Sequence, residues 1–247
     1  MASNSETGHA KNVANFEKII AFLISYAAAY NPVKTIIKLV TLQAQLLQAQ
    51  TDMSTVSNKI ADKKKKENNR KIVFEPIEKY CTRLINALAA SDATDELIED
   101  ARTINRKIQG ARKSKIDKPA DPNAPVDPNA PKNISASQHS FDMMVEHFTN
   151  FLEIIKTEPS YNPNEADLKV TAATAFLASL KAANTAVFNA ETAIANARIA
   201  RNKTLYKSKT GVHDVVADIK KYLVSVYGAS APEYKQVNKI SITLRED

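Results

Sequence analysis

After Tyr30-Asn31-Pro32, apolar side chains recur at alternating spacings of three and four: Leu39, Leu42, Leu46, Ala49, Met53, Val56 and Ile60. That spacing is the a/d seam of an amphipathic helix, and its one narrow apolar face must be covered by something. The positions between are mostly Gln, Thr, Ser, Lys and Asp, which leave the other faces wet. Asn31 suits an N-cap, because its side-chain oxygen can accept from a free N–H of the first turn. Pro32 suits the first helical position, where its missing N–H costs nothing. The pattern predicts one long helix from Pro32 through Lys63-Lys64-Lys65-Lys66, ending near Asn68-Asn69.

Tyr161-Asn162-Pro163 opens a weaker copy, 131 positions on (161 − 30). The same offset carries Leu46 onto Leu177, Ala49 onto Leu180, Val56 onto Val187 and Arg70 onto Arg201. Upstream, Ile20, Leu23 and Ile24 fall on Phe151, Ile154 and Ile155. A match over most of both halves predicts a duplicated helical unit. Each copy then has one long helix, and it stays open whether the first helix of a copy packs within its own half or crosses over.

Residues 111–136 separate the halves. Asp121-Pro122-Asn123-Ala124-Pro125 and Asp127-Pro128-Asn129-Ala130-Pro131 repeat, and five of the ten prolines lie here, so an extended linker is expected. The division is a tail over 1–12, a first helical repeat over 13–110, this linker, and a second repeat over 137–247. In the first half, helices are expected over 13–30, 32–69 and 76–89. A fourth follows a cap at Ser91, Asp92 or Thr94 and stops at Gly110. In the second half they are expected from a cap at Ser135 or Ser137 to Thr157, from Pro163 to Tyr206, over 212–227, and from Ser230-Pro232. Lys239 to Leu244 alternates Ile240, Ile242 and Leu244 and is expected to run extended along the helices. The fold class is all-α: an elongated bundle of about eight helices built from two pseudo-symmetric repeats.

Four Gly among 247 residues exclude a P-loop or a GxGxxG turn, and the absence of Trp argues against stacking platforms for bases. Cys81 is the only cysteine, which excludes an internal disulfide and fits a reducing, cytoplasmic compartment. No apolar stretch reaches the roughly 20 residues that span a bilayer. The N-terminal residues carry no apolar signal core. Catalytic sets are lacking: Glu6 and His9 form a lone ExxH pair in a polar tail, and Glu146-His147 with Asp142 and His139 reads as solvated helix surface. His213-Asp214 reads as capping chemistry. Neither an enzyme nor a cofactor or metal site is expected.

The formal charge of +7 resides in the first half: residues 1–118 hold 20 Lys+Arg and 13 Asp+Glu, while 119–247 hold 14 of each. Its densest part is Lys63, Lys64, Lys65, Lys66, Arg70 and Lys71, a candidate grip on a polyanion such as nucleic acid. The offset sets the four lysines against Ile194, Ala195, Asn196 and Ala197, so the cluster is not a property of the repeat.

The paired Tyr-Asn-Pro elements, Ile104-Asn105-Arg106-Lys107-Ile108-Gln109-Gly110, and Ile134-Ser135-Ala136-Ser137-Gln138 resemble a family of uncharacterised bacterial helical proteins. The resemblance implies an all-helical two-repeat fold and carries no function or site residue. The expectation is a non-enzymatic structural or protein-interaction bundle, self-assembly included, with a protein partner or a second copy against the helix-packing seam of Leu39, Leu42, Leu46, Met53, Val56 and Ile60. The alternative is a polyanion-binding protein acting through the Lys63–Lys71 cluster.

Overall fold

In the computed structural model, which describes residues 8–110 and 139–245, each Tyr-Asn-Pro element is a folded entry loop rather than a helix start. Tyr30 donates its hydroxyl hydrogen to the Ile37 carbonyl at 2.6 Å. Tyr161 does the same to Leu168 at 2.8 Å. Each bond closes seven residues of chain around a single 3-10 turn, Thr35–Ile37 in one case and Ala166–Leu168 in the other. Asn31 and Pro32 therefore do not cap the long helix. It begins at Leu39 and runs to Phe74 (α2), five residues past the expected end at Asn69. The second long helix (α6) runs from Val170 to Tyr206.

Among the described residues there are eight α-helices and no strand. The remaining ones are α1 (His9–Ser25), α3 (Ile77–Ala89), α4 (Asp95–Ile108), α5 (Phe141–Thr157), α7 (Val212–Tyr227) and α8 (Pro232–Asn238). The all-α class stands. Thr94 caps α4, accepting from the Leu97 N–H, and Ser140 caps α5, accepting from the Met143 N–H. Gly110 takes φ +65 after α4, the left-handed conformation that ends helices and favours glycine. The expected caps Ser135 and Ser137, the linker over 111–136 and the Ile134–Gln138 motif lie outside the described residues, as do residues 1–7 of the tail.

Two compact units result, and they do not coincide with the sequence halves. One lies within Met1–Lys64 and Asn189–Asp247, the other within Lys65–Phe188. The physical reason is helix length: α2 and α6, at 36 and 37 residues, each serve both units. Each unit takes elements from both sequence halves.

The first unit packs α1, the first part of α2, the last part of α6, α7 and α8. Its core holds Phe16, Ile19, Leu23, Leu42, Ala49, Leu205, Val215, Ile219 and Leu223. The entry loop docks on α7: the Asn31 N–H donates to the Tyr222 hydroxyl at 3.1 Å, the Tyr30 and Tyr222 rings meet edge-on, and Lys34 pairs with Asp218. Residues 240–245 run along α1 as an unpaired segment. The buried Asn12 reads the Thr243 main chain both ways, donating to its carbonyl at 2.7 Å and accepting from its N–H at 3.0 Å. Asn15 donates to the Ser241 carbonyl, and Ile240 and Ile242 turn inward while Leu244 is exposed.

The second unit packs the last part of α2, α3, α4, α5 and the first part of α6. Its core holds Phe74, Ile77, Leu84, Leu88, Ile108, Phe148, Phe151, Leu152 and Leu180. Here the entry loop docks on α3: Tyr80 donates to the Asp167 carbonyl at 2.6 Å, and Arg83 pairs with the Asp167 carboxylate at 2.6 Å.

Burial, with the neighbouring Tyr80, pushes the Tyr161 hydroxyl up to about 12 from an ordinary 10.0. Burial and Tyr222 push the Tyr30 hydroxyl up as well. A tyrosine whose folded pKa is raised stabilises fully below pH 10, and that contribution disappears as pH rises through about 12. Spectrophotometric alkaline titration is expected to find both tyrosines ionising last, together with loss of helix. Tyr30→Phe and Tyr161→Phe are each expected to lower stability by about 1–2 kcal/mol in denaturant melts, because a loop carbonyl loses its donor.

Candidate functional site

Four consecutive lysines on an α-helix do not make one face. Successive side chains turn by about 100°, so Lys63 to Lys66 wind through roughly 300° of α2. The cluster also lies inside the helix, not at its end as the sequence suggested, since α2 continues to Phe74. Lys63 turns toward α6 and pairs with Glu191 at 2.9 Å. Arg70, two turns on, is pinned: its guanidinium carbon sits 4.1 Å from the Phe141 ring centre, and Nη1 donates to the Asn184 Oδ1 at 3.4 Å. The buried Asn184 in turn donates to Asp142 at 3.0 Å. Lys64, Lys65, Lys66 and Lys71 are exposed. Of the six candidate cations, these four can meet a polyanion without breaking a packed contact.

The helix-packing seam is turned inward. Leu42 and Ala49 are fully buried, and Leu39, Leu46 and Met53 pack against the first unit's core. Val56 is buried too, but Ile60 is 46% exposed. From Leu39 to Met53 the seam thus faces the first unit's own core, while Ile60 lies outside it. The outward side of the same stretch is unusual. Residues 39–51 carry no Asp, Glu, Lys or Arg. Val40 and Leu47, seven apart on that side, are 79% and 66% exposed, and Val33 in the entry loop is exposed as well.

The remaining candidates resolve into structural roles. Burial, and then Glu78, pushes the Cys81 thiol up to about 12, so it carries no reactive thiolate near neutral pH. Asp214 accepts from the Lys209 N–H at 2.7 Å and contacts His213 at 2.8 Å, holding the turn where Lys209 takes φ +65. That backbone bond, then the His213 contact, hold its carboxyl below the usual range. His147 is buried, which lowers its pKa. Among the described residues no group of three His, Cys, Asp or Glu is arranged to hold a metal. Nor is any helix among them long and apolar enough to cross a membrane.

One polar feature escaped the sequence reading altogether. Within the first unit, α2 and α6 flank a cleft of about 420 Å³ lined by Gln45, Gln48, Asp52, Lys203, Thr204 and Lys207. Asp52 is 8% exposed. It accepts from Gln48 at 2.9 Å and from the Thr204 hydroxyl at 2.6 Å. Gln45 donates to the Thr210 carbonyl at 2.9 Å, while its buried Oε1 has no partner among the described residues. Asp52 sits among Gln and Thr in the sequence, so nothing local distinguishes it from a solvated helix position. The signal is Thr204, 152 residues away.

Comparison with protein-family models, with curated proteins and with solved structures finds no match for this chain.

The burial pattern separates seam from surface quantitatively. Leu42→Ala is expected to cost about 3 kcal/mol, as a large-to-small change in a closed core. Ile60→Ala is expected to stay within about 0.5 kcal/mol. Chemical denaturation of the two variants measures the difference.

Proposed function

We propose that this chain is a non-enzymatic interaction protein whose α2 face around Val40 and Leu47 associates with a second copy. The observation that carries the reading is the uncharged outer side of residues 39–51, with two large aliphatics exposed at heptad spacing. Exposed apolar patches framed by polar residues mark association sites. In a chain of net charge +7, copies repel wherever their cations meet, and an uncharged strip is where two of them approach at least cost. The inward seam supports the same reading by seating residues 39–53 in the first unit's core while their other side stays available. The equal 131-residue spacing of the two tyrosine-closed loops, and of the two 3-10 turns (166 − 35), supports an origin by duplication. A lone buried Cys81 suits a cytoplasmic setting.

Sedimentation velocity over a range of concentrations tests this. Self-association is expected for the native chain and its loss for Leu47→Glu, with the circular dichroism spectrum unchanged. A native chain that stays monomeric at high concentration, or a Leu47→Glu chain that associates equally, contradicts the reading.

The exposure of Lys64, Lys65, Lys66 and Lys71 favours the second reading, polyanion binding. A mobility shift with mixed DNA and RNA at low salt, abolished by changing these four to Gln, supports it. Absence of a shift removes it.

A further inference from the structure

Buried carboxylates are ordinarily paired with cations, because neutral donors offset only part of the cost of leaving water. Asp52 departs from that rule: among the described residues its partners are the neutral donors Gln48 and Thr204. Its neighbour Gln45 adds a second buried acceptor without a donor. Lys203, in the last turn of α6, and Lys207, just beyond its end, are exposed on the same cleft. The cleft thus has an acceptor-rich floor and a cationic rim.

The fold does not require this polarity. At the positions 131 residues away the second unit has apolar residues: Phe176 for Gln45 (45 + 131), Ala183 for Asp52 (52 + 131) and Val73 for Thr204 (204 − 131). Ala183 belongs to that unit's core, and Phe176 and Val73 pack against it. Lys203 and Lys207 correspond to Ile72 and Pro76 (203 − 131, 207 − 131). Gln48 is the exception, matching the exposed Ser179 (48 + 131); the other compared positions are apolar in one unit and carry acceptors and cations in the other.

We propose that this cleft binds a small acidic amino acid. The ligand's ammonium donates to an Asp52 oxygen, replacing the missing cation. Its carboxylates meet Lys203 and Lys207 at the rim. One buried carboxylate against two lysines leaves a net positive site, which complements one ammonium and two carboxylates. A volume of about 420 Å³ accommodates such a molecule. This goes beyond the association of copies through Val40 and Leu47, which lie on the outward side of α2, and it does not depend on that association.

The test is an NMR titration of the full ¹⁵N-labelled chain with L-glutamate, set beside glutarate, which keeps both carboxylates and lacks the ammonium. Saturable shifts are expected in residues 45–52 and 200–210 with glutamate, and much weaker ones with glutarate. The double variant Asp52→Ala/Thr204→Val, which copies the second unit, is expected to fold at least as stably as the native chain and to bind about 30-fold more weakly or not at all. Should that variant fail to fold, Asp52→Asn replaces it with the same expected loss. No saturable response from the native chain, an equal response to glutarate, or undiminished binding by the folded variant overturns the proposal.

Discussion

A tyrosine hydroxyl donating to a carbonyl seven residues ahead holds the start of each long helix. By closing the loop, Tyr30 and Tyr161 hold residues 31–38 and 162–169 out of a continuous helix and determine where α2 and α6 begin. Each closed loop is then a small rigid body with a face to dock. The first docks on α7 and the second on α3, so each half's loop sits on a helix supplied by the other half. The ion pairs at these contacts are reversed in sign. Lys34 meets Asp218 in one unit, and Asp167 meets Arg83 in the other. Because α7 begins 135 residues after α3 (212 − 77), Asp218 and Arg83 hold matching places. Docking within a half would bring Lys34 to Arg83 and Asp167 to Asp218. Such exposed pairs are worth at most about 1 kcal/mol each. They bias the choice between two similar docking sites, while the buried tyrosines and the apolar cores supply the stability.

Much of this was legible in the sequence. The apolar period identified α2 and α6, and the second Tyr-Asn-Pro element pointed to the recurrence at 131 residues. Ile60 shows where the seven-residue pattern fails. A straight helix of 3.6 residues per turn drifts about 20° per heptad against a 3.5-residue seam. Over the three heptads from Leu39 to Ile60 the drift reaches about 60°, enough to carry the last position from the core into solvent. Asn31 and Pro32 misled for a different reason. Their local preference for starting a helix is real, but it is worth about 1 kcal/mol, and the Tyr30 hydrogen bond, its burial and its contact with Tyr222 outweigh it.

The features that concern binding were the least legible, because they depend on which residues meet across long separations. Lys63 to Lys66 look like one patch when written in a line, and only the helix disperses them. Arg70 looks like part of that patch, and only Phe141 and Asn184 reveal it as a packing residue. Asp52 looks like surface until Thr204 covers it. The exchange of elements between halves is equally invisible to local pattern, since the same amphipathic helices satisfy either pairing.

Native-state hydrogen exchange on a Leu223→Ala variant tests that exchange directly, because Leu223 lies deep in the first unit's core. The account predicts that amides in residues 42–56 of α2 and 194–206 of α6 lose protection together with α1 and α7. Residues 77–88 and 98–108 should keep theirs. Loss of protection confined to α6, α7 and α8, with all of α2 remaining as protected as α3 and α4, would contradict it.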